Sequence, residues 1–211
     1  MMLNAGHPAG DARLPDLRSA KRRSGALGMV DDNGTDTGRL VEAQSADLPF
    51  IADLLNAAYR GYDGPVGWTD ERAILTGTRT SVESLSEQLL KKNPPHLLKW
   101  QVPGPDDIIG CILLEPMQDG VWYLSSFAVA PRYQNRGLGK AILGSTEHWA
   151  RVRGSTRLKM TVITVRTELL KWYLRRGYAP TGEIAPFPYE DTTVGVPLKD
   201  DLQFAVLEKE I

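Results

Sequence analysis

Residues 121–154, VWYLSSFAVAPRYQNRGLGKAILGSTEHWARVRG, predict a β-strand that leads through a glycine turn into a helix. Residues 122–129 are rich in aromatic and β-branched side chains, and Pro131 cannot donate a backbone hydrogen bond within a sheet. The strand is therefore predicted to end just before this proline. From Leu138 onward apolar residues recur at intervals of three or four, which predicts a helix with one buried face that stops at Gly154.

The turn QNRGLG at residues 134–139 has the chemistry of a phosphate-binding site. Gly137 and Gly139 let a ligand approach the backbone closely. The first amides of a helix lack acceptors within the helix and carry the positive end of its dipole, so they attract phosphate. Arg136 and Lys140 add two cations beside them.

Three kinds of phosphate loop are distinguished by their spacing. A nucleoside triphosphate loop, GxxxxGK followed by Ser or Thr, is excluded because Ala141 follows Lys140. A dinucleotide fingerprint, GxGxxG, lacks its third glycine because Ile142 stands there. A mononucleotide-binding α/β domain stays open as a weaker alternative.

The stretch instead resembles the acetyl-CoA loop of the GNAT acyltransferase superfamily. The pattern of that loop is Gln or Arg, two residues, Gly, one residue, and then Gly or Ala. Gln134, Gly137 and Gly139 fill it, and FAVAP at residues 127–131 resembles the strand end that precedes it in the family.

A second segment, residues 162–183, extends the resemblance. In GNAT enzymes a tyrosine stands four residues before a glycine that an aromatic residue follows, and Tyr173, Gly177 and Tyr178 hold these places. Arg166 departs from the family, because many members carry an asparagine there. An arginine at this position can reach a phosphate or an acidic group, or can begin the helix in an ion pair.

The fold class implied is α/β, a mixed and mostly antiparallel sheet of GNAT type. Its central parallel strand pair is splayed, and helices cover both faces. The sequence predicts strands at residues 39–43, 97–102, 108–115, 122–130, 157–164, 178–183 and 202–208. Residues 38–211 are predicted to form a single N-acetyltransferase domain. Residues 1–37 have few large apolar side chains and are predicted to be a disordered tail.

The resemblance implies an N-acetyltransferase that transfers the acetyl group of acetyl-CoA to a primary amine by direct attack in a ternary complex, without a metal. Tyr173 would protonate the departing thiolate, and a backbone amide near Val129 would polarise the carbonyl. Cofactor contacts are expected from Phe127, Ala128, Val129, Gln134, Asn135, Arg136, Gly137, Leu138, Gly139, Lys140 and Arg166.

The catalytic base is open. A carboxylate on the central strand is common in the family, yet this strand has none, and Tyr123 stands where it would be expected. Glu115, Glu183, or a water held by Tyr123 and Ser125 are the alternatives. The missing carboxylate also fits a different function, a non-catalytic acyl-CoA-binding regulatory module.

The acceptor is expected to be a small-molecule amine or an amino-acid-like compound. Its contacts are predicted mainly in the glycine-rich segment 61–81, because polar loops carry much of protein function. Glutamates there can attract a cation, and arginines can hold a carboxylate. The candidates are Tyr62, Trp68, Glu71, Arg79 and Glu183.

Composition limits the partners. With 25 basic and 26 acidic residues in 211, the chain has no long-range field that would favour nucleic acid or an anionic membrane. The single cysteine, Cys111, excludes an internal disulfide, and no apolar run approaches the ~20 residues that cross a bilayer. We expect a cytoplasmic protein without nucleic-acid or membrane partners. GNAT proteins often dimerise, so a homodimer is a further expectation.

Overall fold

The computed structural model describes residues 38–61, 67–102 and 108–211. The predicted disordered tail, the stretch between the predicted strands 97–102 and 108–115, and the candidate acceptor residue Tyr62 lie outside the described residues.

In the described part of the chain, seven strands form one mixed sheet in the order β1-β3-β4-β5-β6-β9-β7, and β2 pairs with β8 separately. The strands are β1 (Arg39–Glu42), β2 (Leu75–Thr76), β3 (His96–Gln101), β4 (Ile108–Pro116), β5 (Val121–Val129), β6 (Arg157–Ile163), β7 (Ala179–Pro186), β8 (Val196–Pro197) and β9 (Gln203–Glu210). The helices are α1 (Leu48–Arg60), α2 (Val82–Leu89), α3 (Leu138–Arg151) and α4 (Thr167–Leu174).

Helices cover both faces of the sheet, as the sequence predicts. Successive strand residues point to opposite faces, so neighbours on β3 join different cores. Leu97 packs in the cluster that contains Leu55 of α1, whereas Leu98 packs in the cluster that contains Ile142 of α3. An ion pair also ties the start of α1 to β3, because Lys99 Nζ lies 2.7 Å from Asp47 Oδ1.

The central parallel pair is splayed. Strands β5 and β6 pair over three positions, from Val121 with Arg157 to Tyr123 with Lys159. Beyond this point β6 continues to pair with β9, whereas β5 pairs only with β4. The β4–β5 register shifts beside Ser126, which has a φ of 48°. Such a bulge bends its strand, and a gap separates the second half of β5 from β6.

Glycines follow α1, α3 and α4, and the glycine after α3 is Gly154, where the sequence predicts that the helix stops. Gly61, Gly154 and Gly177 have φ values of 63°, 91° and 84°, the left-handed conformation that stops a helix cheaply only at glycine. The pairing of β2 with β8 was not predicted, because a two-residue strand has no periodicity to detect. It fastens the segment after α1 to the loop between β7 and β9.

Candidate active site

A cleft of about 290 Å³ opens at the glycine turn between β5 and α3, and we call it the turn cleft. Its lining comes from α1, the segment after it, β5, the turn and α4. The residues are Tyr59, Trp68, Thr69, Phe127, Val129, Gln134, Asn135, Gly137, Gly139, Lys140, Leu169, Trp172, Tyr173 and Arg176.

The turn presents free backbone donors to this cleft. Asn135 and Gly137 both have positive φ, at 61° and 82°, and this folds the chain tightly before α3. Among the described residues, no protein oxygen accepts a hydrogen bond from the amides of residues 135–140, and the first helical bond runs from Ala141 N to Gly137 O. Lys140 lines the cleft beside them. Free amides, a helix dipole and a cation together form an anion site.

An aromatic wall stands opposite the turn. A Cβ on Gly139 would lie 3.3 Å from the Trp172 ring, so this glycine permits the close approach of α3 to α4. Phe127 and Trp172 have ring centroids 6.2 Å apart, and the Arg176 guanidinium lies 3.5 Å from the Trp172 centroid. The cleft therefore has apolar walls below a polar rim.

Gln134, the first residue of the predicted loop pattern, links three segments. Its Nε2 donates to Val129 O at 2.8 Å, and its Oε1 accepts from Trp68 N. Both ends of the side chain thus have protein partners, and Gln134 joins the segment after α1 to the end of β5.

A second cleft, of about 210 Å³, lies in the gap between β5 and β6, and we call it the gap cleft. It is lined by Tyr59, Glu71, Leu75, Arg79, Tyr123, Leu124, Ser125, Ser126, Phe127, Met160, Thr161, Val162, Ile163, Arg166, Leu169, Tyr173, Phe187 and Phe204. Tyr59, Phe127, Leu169 and Tyr173 line both clefts. The two clefts therefore meet at these four residues, which we call the junction.

Tyr173 combines a buried ring with a hydroxyl that has no partner among the described residues. The side chain is 6% exposed and packs edge-on against Trp172. Burial raises the pKa of the Tyr173 phenol far above its ordinary value, because a phenolate would lose its solvation. Tyr173 therefore keeps its proton and acts as a hydrogen-bond donor at the junction.

Leu169 and Tyr59 are the junction residues that the sequence analysis missed, and the polar one is Tyr59. Its hydroxyl donates to Phe127 O at 2.8 Å, next to the bulge in β5. Burial raises its pKa as well. Tyr59 lies on the apolar face of α1 and belongs to no recognisable motif. The one signal in the sequence that could have identified it is a hydroxyl group on an otherwise apolar helix face.

The ladder directs one amide of β5 into the gap. Ala130 N donates to Ile109 O at 2.9 Å, on the β4 side. Because successive residues of a strand direct their amides to opposite edges, Val129 N–H faces the open side, where β6 has diverged. This agrees with the predicted position of a donor for a carbonyl oxygen.

Arg166 and Glu71 take part in an ion network rather than standing free. Glu71 accepts from Arg60 at 2.9 Å and from Arg166 at 3.0 Å, and Arg166 also donates to Trp68 O at 2.8 Å. The predicted contact of Arg166 with cofactor phosphate finds no support, since its guanidinium lies in the gap cleft. Glu71 is likewise engaged by two arginines and is poorly placed to attract a cationic acceptor.

The carboxylates proposed as bases lie elsewhere. Glu115 stands opposite Tyr123 in the β4–β5 ladder and lines neither cleft. Glu183, on exposed β7, lies 3.4 Å from Lys159 Nζ and also lines neither. Tyr123 does line the gap cleft, where its hydroxyl lies 2.6 Å from Thr161 Oγ1. Among the described residues, the carboxylate that lines either cleft is that of Glu71.

The remaining predicted residues divide between the clefts. Trp68, expected on the acceptor side, lines the turn cleft, and Arg79 lines the gap cleft. Ala128, Arg136 and Leu138, expected to touch the cofactor, line neither cleft as it stands, and Ala128 and Leu138 are buried in the core clusters.

The described residues hold neither a metal-binding cluster nor a helix that could span a membrane. No group of three or more His, Cys, Asp or Glu side chains gathers to hold a metal ion. In the same residues, every helix is too short or too polar to cross a membrane.

Comparison with known proteins gives a consistent picture. The sequence profile of the Acetyltransferase (GNAT) family matches residues 50–178. A search of curated protein sequences finds no match.

Similar solved structures share the fold. The ribosomal-protein-S18-alanine N-acetyltransferase of Escherichia coli is 17% identical with a TM-score of 0.59, over 82% of this chain and 94% of its own. The ribosomal-protein-alanine N-acetyltransferase of Brucella melitensis is 18% identical with a TM-score of 0.60, over 82% and 99%. A GNAT family acetyltransferase of Elizabethkingia anophelis with acetyl-CoA bound is 17% identical with a TM-score of 0.54, over 84% and 100%. At these identities the likeness concerns the fold alone.

Proposed function

The chain belongs to the Acetyltransferase (GNAT) family, and from this premise we propose that it transfers the acetyl group of acetyl-CoA to a primary amine. One observation supports the proposal most. Asn135, Gly137, Gly139 and Lys140 line the turn cleft with free amides, and at the junction this cleft meets the gap cleft beside Tyr173.

The turn cleft suits the donor. The diphosphate of CoA would accept hydrogen bonds from the turn amides, with Lys140 at the rim. The apolar wall of Phe127, Leu169 and Trp172 suits the aliphatic arm of the molecule. Gln134 closes one side through its bonds to Val129 and Trp68. A structural neighbour from Elizabethkingia anophelis was crystallised with acetyl-CoA bound, which supports this choice of donor.

The chemistry proposed is direct acyl transfer. A neutral amine in the gap cleft attacks the thioester carbonyl, so that a C–N bond forms and the C–S bond breaks. Val129 N–H would donate to the carbonyl oxygen while it carries negative charge. The electron pair of the C–S bond leaves with sulfur, Tyr173 would donate a proton to that thiolate, and the phenolate would regain a proton from solvent. The proton lost by the amine goes to solvent.

This scheme works without a carboxylate base. Arg79 and Arg166 line the gap cleft, and positive neighbours favour the neutral form of an amine. An acceptor ammonium ion would therefore release its proton more readily there than in water. The rate is expected to rise with pH as the bound acceptor loses its proton.

The competing function is that of an acyl-CoA-binding module without catalysis. One observation favours it. Among the described residues, the carboxylate that lines the clefts is that of Glu71, and it is already paired with two arginines and so poorly suited to act as a base. In this case acetyl-CoA would bind and stay intact.

An assay of free thiol separates the two functions. The full-length protein is incubated with acetyl-CoA and a panel of primary amines, and released CoA is followed with a thiol reagent. Calorimetry measures acetyl-CoA binding in parallel. Release above the rate without enzyme is the expected result. Binding without release across the panel would favour the module, and no binding at all would contradict both functions.

A further inference from the structure

We propose that the acceptor is a free α-amino acid with an apolar side chain, and that Arg79 binds its carboxylate. This inference rests on the proposed function and adds a substrate class to it. It is carried by the charge, position and lining of the gap cleft.

Arg79 differs from the other arginine of this cleft in having no ionic partner. Arg166 shares the Glu71 carboxylate with Arg60, whereas no carboxylate among the described residues forms an ion pair with Arg79. Glu71, Arg79 and Arg166 are the charged residues of the described lining, so the gap cleft has a net positive charge. A half-buried guanidinium with no ionic partner among the described residues is best satisfied by a carboxylate, which can accept two parallel hydrogen bonds from it.

Asn56 of α1 fixes the backbone that carries Arg79. Its Oδ1 accepts from Arg79 N at 2.7 Å, and its Nδ2 donates to Thr80 O and to Ala52 O, both at 2.9 Å. The bonds to Arg79 N and Thr80 O hold the segment against α1, and the bond to Ala52 O, within α1, orients the Asn56 side chain. The Arg79 guanidinium lies 5.2 Å from the centroid of the Tyr59 ring. Arg79 is therefore held in place before any ligand arrives.

The location of Arg79 determines how far the carboxylate of the acceptor can be from its amine. Tyr59 lines both clefts, so the guanidinium beside it lies next to the junction where the acetyl group would be transferred. In an α-amino acid the carboxylate and the amine are attached to the same carbon. A carboxylate bound by Arg79 would thus leave the amine at the junction. An acid whose carboxylate is far from its amine would not meet both requirements.

The rest of the cleft selects an apolar side chain. Leu75, Met160, Ile163, Phe187 and Phe204 line it away from the junction, and the rings of Phe187 and Phe204 stack with centroids 5.4 Å apart. The volume of about 210 Å³ is small for a ligand pocket, since drug-sized ligands occupy roughly 300 Å³ or more. These features favour a free amino acid over a protein segment.

Matched acceptor pairs test the inference on the wild-type protein. L-phenylalanine is compared with 2-phenylethylamine, and L-leucine with 3-methylbutylamine, which lack only the carboxylate. L-phenylalaninamide replaces the carboxylate by a neutral group, and L-glutamate tests the apolar lining. CoA release should show that kcat/KM is about 10- to 100-fold higher for the two apolar amino acids than for their partners, as expected for a charge-assisted contact.

Variants assign the effect to the guanidinium. Arg79→Gln should raise KM for L-phenylalanine by about 10- to 100-fold and lower kcat/KM for 2-phenylethylamine far less, because that amine has no carboxylate to lose. KM for acetyl-CoA should change little, because Arg79 does not line the turn cleft. Arg79→Lys should restore part of the loss. Arg72→Gln is the matched control, because Arg72 is exposed, pairs with Asp70 at 2.6 Å and lines neither cleft.

The outcomes separate this inference from the proposed function. Equal loss for L-phenylalanine and 2-phenylethylamine in Arg79→Gln would overturn the role of Arg79. Release of CoA with simple amines but not with apolar amino acids would overturn the substrate class and leave the proposed function intact. Failure of every acceptor would overturn the proposed function itself. The matched pairs need no variant, so the test holds even if Arg79→Gln does not fold.

Discussion

Tyr173 presents a protonated hydroxyl at the junction, and replacing it should separate chemistry from binding. Tyr173→Phe removes the hydroxyl and keeps a ring that packs against Trp172 and Tyr178. Loss of a proton donor should lower kcat by about 10²-fold or more. KM for acetyl-CoA should change little, because the turn amides and Lys140 are untouched. Steady-state kinetics of CoA release measures both constants.

Tyr178→Phe is the control for this prediction. Tyr178 is buried in the same aromatic group, with its ring centroid 5.6 Å from that of Tyr173, and it lines neither cleft. The kcat of the Tyr178→Phe variant should stay near that of the wild type. An unchanged kcat in Tyr173→Phe would restrict Tyr173 to packing and leave the thiolate to be protonated by solvent.

Single residues show why part of the site could not be predicted. Tyr173 could be predicted because the family resemblance places a tyrosine four residues before Gly177, near the end of α4. Tyr59 was missed because its role depends on the carbonyl of Phe127, which lies 68 residues along the chain. Arg166 and Glu71 are 95 residues apart, and the sequence gives no sign that each neutralises the other. Local spacing predicts a residue's place on its element, whereas its partners depend on the tertiary fold.

At the scale of the element, the start of α3 sets the width of the turn cleft. Gly139→Ala would place a methyl group 3.3 Å from the Trp172 ring, which forms the opposite wall. Such crowding should weaken acetyl-CoA binding by about 10- to 100-fold, the equivalent of a modest overpacking penalty. The effect should appear in KM for acetyl-CoA and in its dissociation constant by calorimetry.

Gly144 of α3 provides a matched control on the same helix. It is exposed, and a Cβ there would meet no heavy atom within 4 Å. Gly144→Ala should leave KM unchanged and raise the free energy of unfolding by about 0.5 to 1 kcal/mol, because alanine loses less entropy in a helix. A similar KM for the two variants would show that Gly139 does not set the cleft width.

Elements were predictable where a period exists. The helix of residues 138–151 and the long strands follow from apolar spacing and from the glycines and prolines that end them. The bulge at Ser126 was not predictable, because a serine with a φ of 48° carries no glycine signal. This bulge bends β5 away from β6 and so opens the gap cleft. The bulge at Ser126, on which the gap cleft depends, thus interrupts the regular alternation of side chains from which the strand is predicted.

At the scale of the whole molecule, charge shows what composition hides. The formal net charge of −1 predicts no strong field. The fold nevertheless pairs Arg60 and Arg166 with one carboxylate, Glu71, and places Arg79 in the lining of the same cleft. The gap cleft is therefore locally positive in a nearly neutral protein. Only the tertiary structure shows this, because these residues come from α1, from the segment after it and from the start of α4.

The two clefts also favour one kinetic mechanism. They share the four junction residues, which favours binding of donor and acceptor together and direct transfer of the acetyl group. A covalent route through a thiol would need a cysteine in the clefts. Cys111 is 0% exposed and lines neither cleft, and burial raises the pKa of its thiol to about 12, so it is almost entirely protonated at neutral pH.

We therefore expect initial rates measured against both substrates to give intersecting double-reciprocal lines, as a ternary complex requires. The Cys111→Ala variant should have the same kcat as the wild type. It should lose some stability, because the smaller side chain leaves a cavity in the core cluster that contains Leu55 of α1. Parallel lines, together with an acetyl group found on the protein by mass spectrometry after incubation with acetyl-CoA alone, would contradict direct transfer. Acetylation that disappears in Cys111→Ala would place the intermediate on the thiol, and the core around β4 would then have to open during each turnover.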